Sequence, residues 1–240
     1  MGRTPRQTLA SDVPHRRIDA DEWAEIYVVG DVHGSRAALE RLVGRVDPAP
    51  EDLVVFVGDL VRKGPDSAGV LDIVRERPNF LSVRGNNEQK LLVGRKSLSS
   101  LDWADLAYLR SLPVVISWEG ATVVHGGIDH RKPLAGHTVT DLLNQRSLAP
   151  GGGYERPFWF ETRQSGPQVC FGHTVLSEPF ATEWAVGLDT GCVYGGQLTA
   201  YEWSTGEFVA VDPPRTHQAR SSDSIVDPRA DSNAVAQSDD

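Results

Sequence analysis

Five short polar clusters interrupt otherwise apolar stretches of the chain: Gly30-Asp31-Val32-His33-Gly34, Gly58-Asp59, Gly85-Asn86-Asn87-Glu88, His125-Gly126-Gly127 and Gly172-His173-Thr174. Each follows a run that reads as a strand. In α/β sheets, ligands gather beyond the carboxyl ends of strands. Five such ends would bring two Asp, one Asn and three His around one crevice, with glycines letting the backbone turn sharply and approach closely. Oxygen and imidazole donors together suit Mn²⁺, Fe, Zn²⁺ or Co²⁺ better than Ca²⁺, and they need no thiolate. Six side chains exceed what one catalytic ion with an open position uses, which points to two ions sharing a carboxylate. Taken singly, each cluster is an ordinary turn or a hydrogen-bonded structural histidine. Only their joint order carries the metal reading.

The elements that must position these residues alternate in the first half. Ile26-Tyr27-Val28-Val29 reads as a buried strand. Ser35 then stands at a helix cap, with Leu39, Leu42, Val43 and Val46 at helical spacing. A second strand runs over residues 53–57, a helix opened by Pro65-Asp66-Ser67 carries Val70, Leu71 and Val74, and a third strand covers residues 80–83. A helical stretch follows around residues 88–93. This β-α-β-α-β order predicts parallel strands with crossover helices. After Pro113 the pattern turns to strands: a hairpin over residues 114–124 with Glu119-Gly120 at its turn, then strands at 168–171, 180–187, 197–203 and 208–211. The expected fold is α/β, a two-sheet β-sandwich flanked by helices, with the dimetal site at the carboxyl ends of the strands.

Composition bounds the rest. With 240 residues, 40% apolar and 24% charged, the chain is long enough for one domain and excludes collagen-like, coiled-coil and wholly disordered classes. No stretch approaches the roughly 20 apolar residues of a membrane helix, and no apolar run follows the basic residues near the start. Cys170 and Cys192 make no disulfide framework and read as small buried fillers. A soluble, cytoplasmic protein is expected. Against 33 acidic residues stand 24 basic ones, a net charge of −9 with four lysines, which disfavours tight binding to nucleic acid or anionic membranes. Residues 1–20 read as a flexible N-terminal segment, 21–212 as the domain, and 213–240 as a disordered acidic tail poor in large apolar side chains. On that reading His15 and His217, lying in the ends, are inert. Trp103, Trp159, Trp184 and Trp203 read as core or rim packing before they read as a base-stacking platform. Trp159, close to Arg146 in sequence, is the one alternative cover for a nucleotide base.

In order, GDVHG, GDLVRKGP, GNNE, HGG and FGHT resemble the calcineurin-like metallophosphoesterases of the phosphoprotein phosphatase superfamily over roughly residues 25–205. Leu188-Asp189-Thr190-Gly191-Cys192-Val193-Tyr194-Gly195-Gly196 is similar to the symmetrical diadenosine tetraphosphate hydrolases and the related bacterial-type phosphatases. Residues 141–146 together with Lys63 resemble the phosphoanhydride-cleaving branch of that group. The resemblance implies two divalent cations, Mn²⁺ first, with Fe, Zn²⁺, Co²⁺ and Ni²⁺ as alternatives. Asp31 and His33 would hold the first, Asp59 would bridge, and Asn86, His125 and His173 would complete the second. It further implies in-line attack on phosphorus by a metal-bridging hydroxide. Lys63 and Arg146 would clamp phosphate, Arg84 is a third candidate, and Asn86 and Asn87 would face the substrate beside them.

Two positions depart from that family. Most relatives place a histidine, taken as the general acid, where this chain has Asn87. Protein phosphatases support it with an Asp where this chain has Arg62. General acid catalysis is worth about 10²–10⁴-fold, and alkoxide leaving groups depend on it most. A phosphate or nucleotide leaves as a much weaker base, with a second pKa near ~6. The sequence therefore favours phosphoanhydrides, dinucleoside polyphosphate or polyphosphate, as substrates. His130 is a candidate replacement acid. The alternatives are a serine/threonine phosphoprotein phosphatase with the same metals and, from another class, a non-catalytic metal- or nucleotide-binding module.

Overall fold

A computed structural model describes residues 8–229. In chain order its strands are β1 (His15–Arg17), β2 (Ile26–Val29), β3 (Leu53–Phe56), β4 (Phe80–Ser82), β5 (Val115–Trp118), β6 (Ala121–Val124), β7 (Gln168–Phe171), β8 (Phe180–Ala181), β9 (Ala185–Gly187), β10 (Leu198–Glu202) and β11 (Phe208–Val211). The α-helices are α1 (Arg36–Val46), α2 (Ser67–Arg75), α3 (Asn86–Leu92), α4 (Trp103–Ser111), α5 (Val139–Asn144) and α6 (Trp159–Thr162).

The strands form two sheets, ordered β11-β10-β2-β3-β4 and β1-β5-β6-β7-β9-β8. β2, β3 and β4 are mutually parallel, as are β6, β7 and β9. Strand β3 shows why the sheets face each other. Its side chains alternate, as a pleat requires. Val54 and Phe56 join the apolar layer under α1, α2 and α4, while Leu53 and Val55 meet Ile116, Val123, Cys170 and Val186 of the other sheet. With both faces covered, the strand is a continuous apolar run. A third layer packs α5 and α6 on the far side, around Val169, Phe171, Leu142, Trp159 and Phe160. The two-sheet sandwich with flanking helices is as expected.

The ends and two elements differ from the sequence reading. Residues 15–17 are an edge strand paired in parallel with β5, and Leu9 and Val13 are buried in the outer layer. His15 bonds Ser117 Oγ at 2.8 Å, so that part of the N-terminal segment is docked. Residues 213–229 are docked as well. The His217 and Gln218 N–H groups donate to the Val193 carbonyl, Val226 pairs with Leu176, and the Val226 side chain is buried. Residues 1–7 and 230–240, also read as flexible, lie outside the described residues. The expected strand over 180–187 is two, β8 and β9 paired antiparallel, because Thr182 Oγ1 accepts the N–H groups of Trp184 and Ala185 and turns the chain. Helix α4 escaped the periodicity reading. Its signal was Asp102, whose carboxylate accepts the Asp105 N–H while Asp105 returns the bond. Ser35 sits before α1 without a side-chain cap bond.

Candidate metal and phosphate site

Six strands end at one rim, one more than the five read from sequence. β2, β3 and β4 deliver Asp31 and His33, Asp59, and Asn86; β6 and β7 deliver His125 and His173. β9 adds Asp189, whose carboxylate accepts the Gly191 N–H at 3.1 Å. All seven side chains are buried. Five of the six non-glycine residues with positive φ among the described residues belong here: His33, Asp59, Arg62, Lys63 and His173. Left-handed backbone at such residues is costly and persists where surroundings enforce it, which is typical of functional sites.

Glu88 is the anchor beneath the rim. Its carboxylate accepts the N–H groups of Asp59 (2.9 Å), Gly85 (2.7 Å) and Val61 (3.2 Å), tying the ends of β3 and β4 together. Burial, with Asp59 nearby, pushes its pKa up to about 8. At the other sheet, a side chain on Gly172 would place its Cβ 2.0 Å from Asp31 Oδ1, so only glycine lets β7 end against that carboxylate.

The Asp59 carboxylate divides its oxygens. Oδ2 lies 3.6 Å from His33 Nε2, and Oδ1 lies 3.5 Å from His125 Nε2. His33 Nε2 is also 3.7 Å from Asp31 Oδ2. Asp31, Asp59 and His125 can each offer a donor atom within 4.8 Å of the others. His125 Nδ1 is used by the Val57 carbonyl at 2.9 Å, while the buried Nε2 atoms of His125 and His173 have no hydrogen-bond partner. Orphaned, buried imidazole nitrogens are costly unless something binds them. Burial lowers the pKa of all three histidines, to about 3 for His33, so they are neutral and suited to ligation. Burial raises Asp31, with Asp189 and Asp59 adding to it. Burial also pushes Asp59 up, but His125, His33, Lys63 and the Asn87 N–H outweigh it and hold Asp59 below the usual carboxylate range. Three clustered carboxylates around neutral imidazoles fit divalent cations. Asn86 completes the group, donating to His173 Nδ1 at 2.7 Å and accepting from Lys90 Nζ at 3.1 Å.

The cationic candidates separate. Lys63 donates to His33 Nε2 at 2.6 Å. Arg146 donates to the His173 carbonyl at 3.1 Å and stacks on Tyr154 with its guanidinium carbon 5.0 Å from the ring centre. Neither has a salt-bridge partner among the described residues. Arg84, expected as a third clamp, instead donates to the carbonyls of Arg110 (2.8 Å) and Leu112 (3.0 Å) at the end of α4. Asn87 accepts from Arg62 and donates to Asp59, and to Asn86 Oδ1 at 2.9 Å. Trp159 is core packing, the reading favoured from sequence, and covers no base. It is fully buried and donates to the Gly126 carbonyl at 3.1 Å, supporting the His125 loop from beneath. His130 has Arg163, Asp129 and Arg131 as its charged neighbours, none of them at the rim. Sequence reading missed Asp189 as a rim carboxylate, along with Tyr154, Tyr194 and Arg220. Only Asp189 carried a signal, a sixth polar residue after a strand.

Comparison with known proteins agrees with this geometry. A family model described as calcineurin-like phosphoesterase matches residues 24–207. Serine/threonine-protein phosphatase 1 of Salmonella typhimurium is 31% identical, the alignment covering 77% of this chain and 94% of that protein. The asymmetrical bis(5'-nucleosyl)-tetraphosphatase PrpE of Halalkalibacterium halodurans is 28% identical over 77% of this chain and 92% of its own length. A crystal structure of a protein provisionally named a diadenosine tetraphosphatase superposes with a TM-score of 0.74 at 30% identity, covering 83% of this chain and 97% of that one. No helix among the described residues is long and apolar enough to cross a membrane. The chain belongs to the calcineurin-like phosphoesterases and is a metal-dependent phosphohydrolase.

Proposed function

We propose that this phosphohydrolase cleaves phosphoanhydrides, dinucleoside polyphosphates or polyphosphate, in preference to phosphate monoesters, with Mn²⁺ as the favoured ion pair. The reading rests on one observation. Where a proton-donating histidine and its supporting carboxylate would sit, Asn87 and Arg62 bond each other, and neither can give up a proton near neutral pH. When bound, two divalent cations supply an acidified water and positive charge at the phosphoryl oxygens. The residues Asp31, His33, Asp59, Asn86, His125 and His173 hold them. Lys63 and Arg146 orient the phosphoryl group and offset the charge spreading over its equatorial oxygens. The Asn87 amide, fixed between Arg62 and Asp59, holds the Asp59 carboxylate in place. The leaving group departs unprotonated, which a phosphate tolerates and an alkoxide does not.

The name of the Salmonella relative, a serine/threonine-protein phosphatase, favours the second reading, a phosphoprotein substrate. One assay on Mn²⁺-loaded protein separates the two, with Asp59→Asn as background. Diadenosine tetraphosphate and tripolyphosphate are expected to turn over at least about tenfold faster than a phosphoserine peptide, about 1.4 kcal/mol in the barrier. Faster turnover of the peptide would hand the site to phosphoproteins. No turnover at all, with metal bound, would leave only a binding module.

A further inference from the structure

The C-terminal segment 213–229 passes over the rim. On one side Gln218 donates to the Lys63 carbonyl at 3.1 Å. On the other, Val226 donates to the Val175 carbonyl and accepts from Ser177, both at 2.8 Å, just beyond His173. Between these anchors stands Arg220. Its Nε donates to the Ser224 carbonyl at 3.0 Å, which shapes the segment into a short arch. Its guanidinium carbon lies 4.7 Å from the Tyr194 ring centre and 5.8 Å from that of Tyr154, and it donates to the Tyr154 hydroxyl.

Tyr154 therefore carries two guanidinium groups, Arg146 and Arg220. Arg146 and Arg220 face that ring with their guanidinium carbons 5.0 Å and 5.8 Å from its centre. Neither has a carboxylate within salt-bridge distance among the described residues, and the Arg146 Nε is buried with no hydrogen-bond partner. Two like charges held together on one ring repel each other, and an anion between them would relieve the repulsion. Guanidinium forks match phosphate oxygens bidentately. In a chain of net charge −9, unpaired arginines stacked on tyrosines beside a metal centre mark a place for a polyanion.

We propose that Arg220, with Arg146 and Tyr154, forms a second phosphate subsite that takes the phosphate next to the scissile one. This deepens the phosphoanhydride reading and rests on it for the identity of the substrate. Arg146 would touch both phosphates, and Arg220 only the distal one. A phosphate monoester has nothing to offer Arg220, whereas an anhydride always does.

The test is calorimetric binding of orthophosphate and of imidodiphosphate, a hydrolysis-resistant two-phosphate chain, to the Mn²⁺-loaded full chain. Wild-type protein should bind imidodiphosphate more tightly than orthophosphate. Arg220→Gln should shrink that preference about tenfold, and Arg220→Lys, which keeps charge but loses the fork, should shrink it less. Thermal unfolding of each variant reports whether the arch stays seated. The proposal is overturned if the wild type shows no preference for two phosphates, or if Arg220→Gln weakens both ligands equally. The anhydride reading fails separately, on wild-type turnover alone, if a phosphoserine peptide is hydrolysed faster than tripolyphosphate.

Discussion

Asn87 is a side chain without a proton to give, at the point where this chemistry usually needs one, and Arg62 makes that choice self-consistent. An aspartate at 62 would support a histidinium. An arginine at 62 would repel one, and it bonds the Asn87 oxygen instead. The two substitutions belong together, so reversing both is the informative variant. Arg62→Asp combined with Asn87→His should raise kcat/KM for a phosphoserine peptide by about 10²-fold or more, with a much smaller gain on tripolyphosphate. Asn87→His alone should give little, because the imidazolium would face Arg62. Steady-state kinetics on the two substrates checks both statements. Arg84 shows the opposite lesson. A basic residue beside GNNE reads naturally as a phosphate clamp, yet its guanidinium closes the carbonyl end of α4. Arg84→Ala should cost about 1–2 kcal/mol in denaturant unfolding and leave orthophosphate affinity within twofold.

Among the elements, the parallel strands were legible because β2 and β3 read as unbroken apolar runs and β4 is broken only by the buried Ser82. The six metal-set residues were legible because each lies within four residues of a strand's carboxyl end. What stayed hidden was held by backbone bonds or by partners far along the chain. β1 is His-Arg-Arg with its side chains partly or fully exposed, so only pairing with β5 makes it a strand. Residues 213–229 bury one valine and dock mainly by hydrogen bonds, among them those to the carbonyls of Val193, Val175 and Lys63 and to the Tyr154 hydroxyl, which composition cannot register. Trp159 showed only a large aromatic side chain near Arg146; whether it faced solvent or core depended on the Gly127 backbone, which leaves space for its indole. The strand ends themselves are testable. Gly172→Ala should push Asp31 out of line and weaken Mn²⁺ binding about 10–100-fold while far-ultraviolet circular dichroism stays native, with metal content after desalting as the readout.

For the molecule as a whole, the buried histidines set how stability responds to acid. Burial lowers the pKa of His33, His125 and His173 below 6.5. The unfolded chain therefore takes up protons that the folded chain refuses. Their contribution is complete above pH 6.5 and is lost as pH falls toward the folded values, by up to ~1.4 kcal/mol per unit for each histidine. Glu88, Asp31 and Asp189, raised by burial, act in the opposite direction, so the histidine contribution is read as a difference. In metal-free protein the wild-type Tm should fall relative to that of His33→Asn as pH drops from 7 to 4 in thermal scans. The family match begins at residue 24 and ends at 207, whereas the folded body reaches further at both ends. Trimmed to the matched span, the protein would lose Arg220 and also the strand that covers the outer side of β5. Val115, Ile116 and Ser117 would then present free main-chain groups beside an opened apolar socket left by Leu9 and Val13. An uncovered sheet edge recruits other edges. The trimmed chain should therefore self-associate, eluting as dimers and larger species on size exclusion at concentrations where the full chain does not.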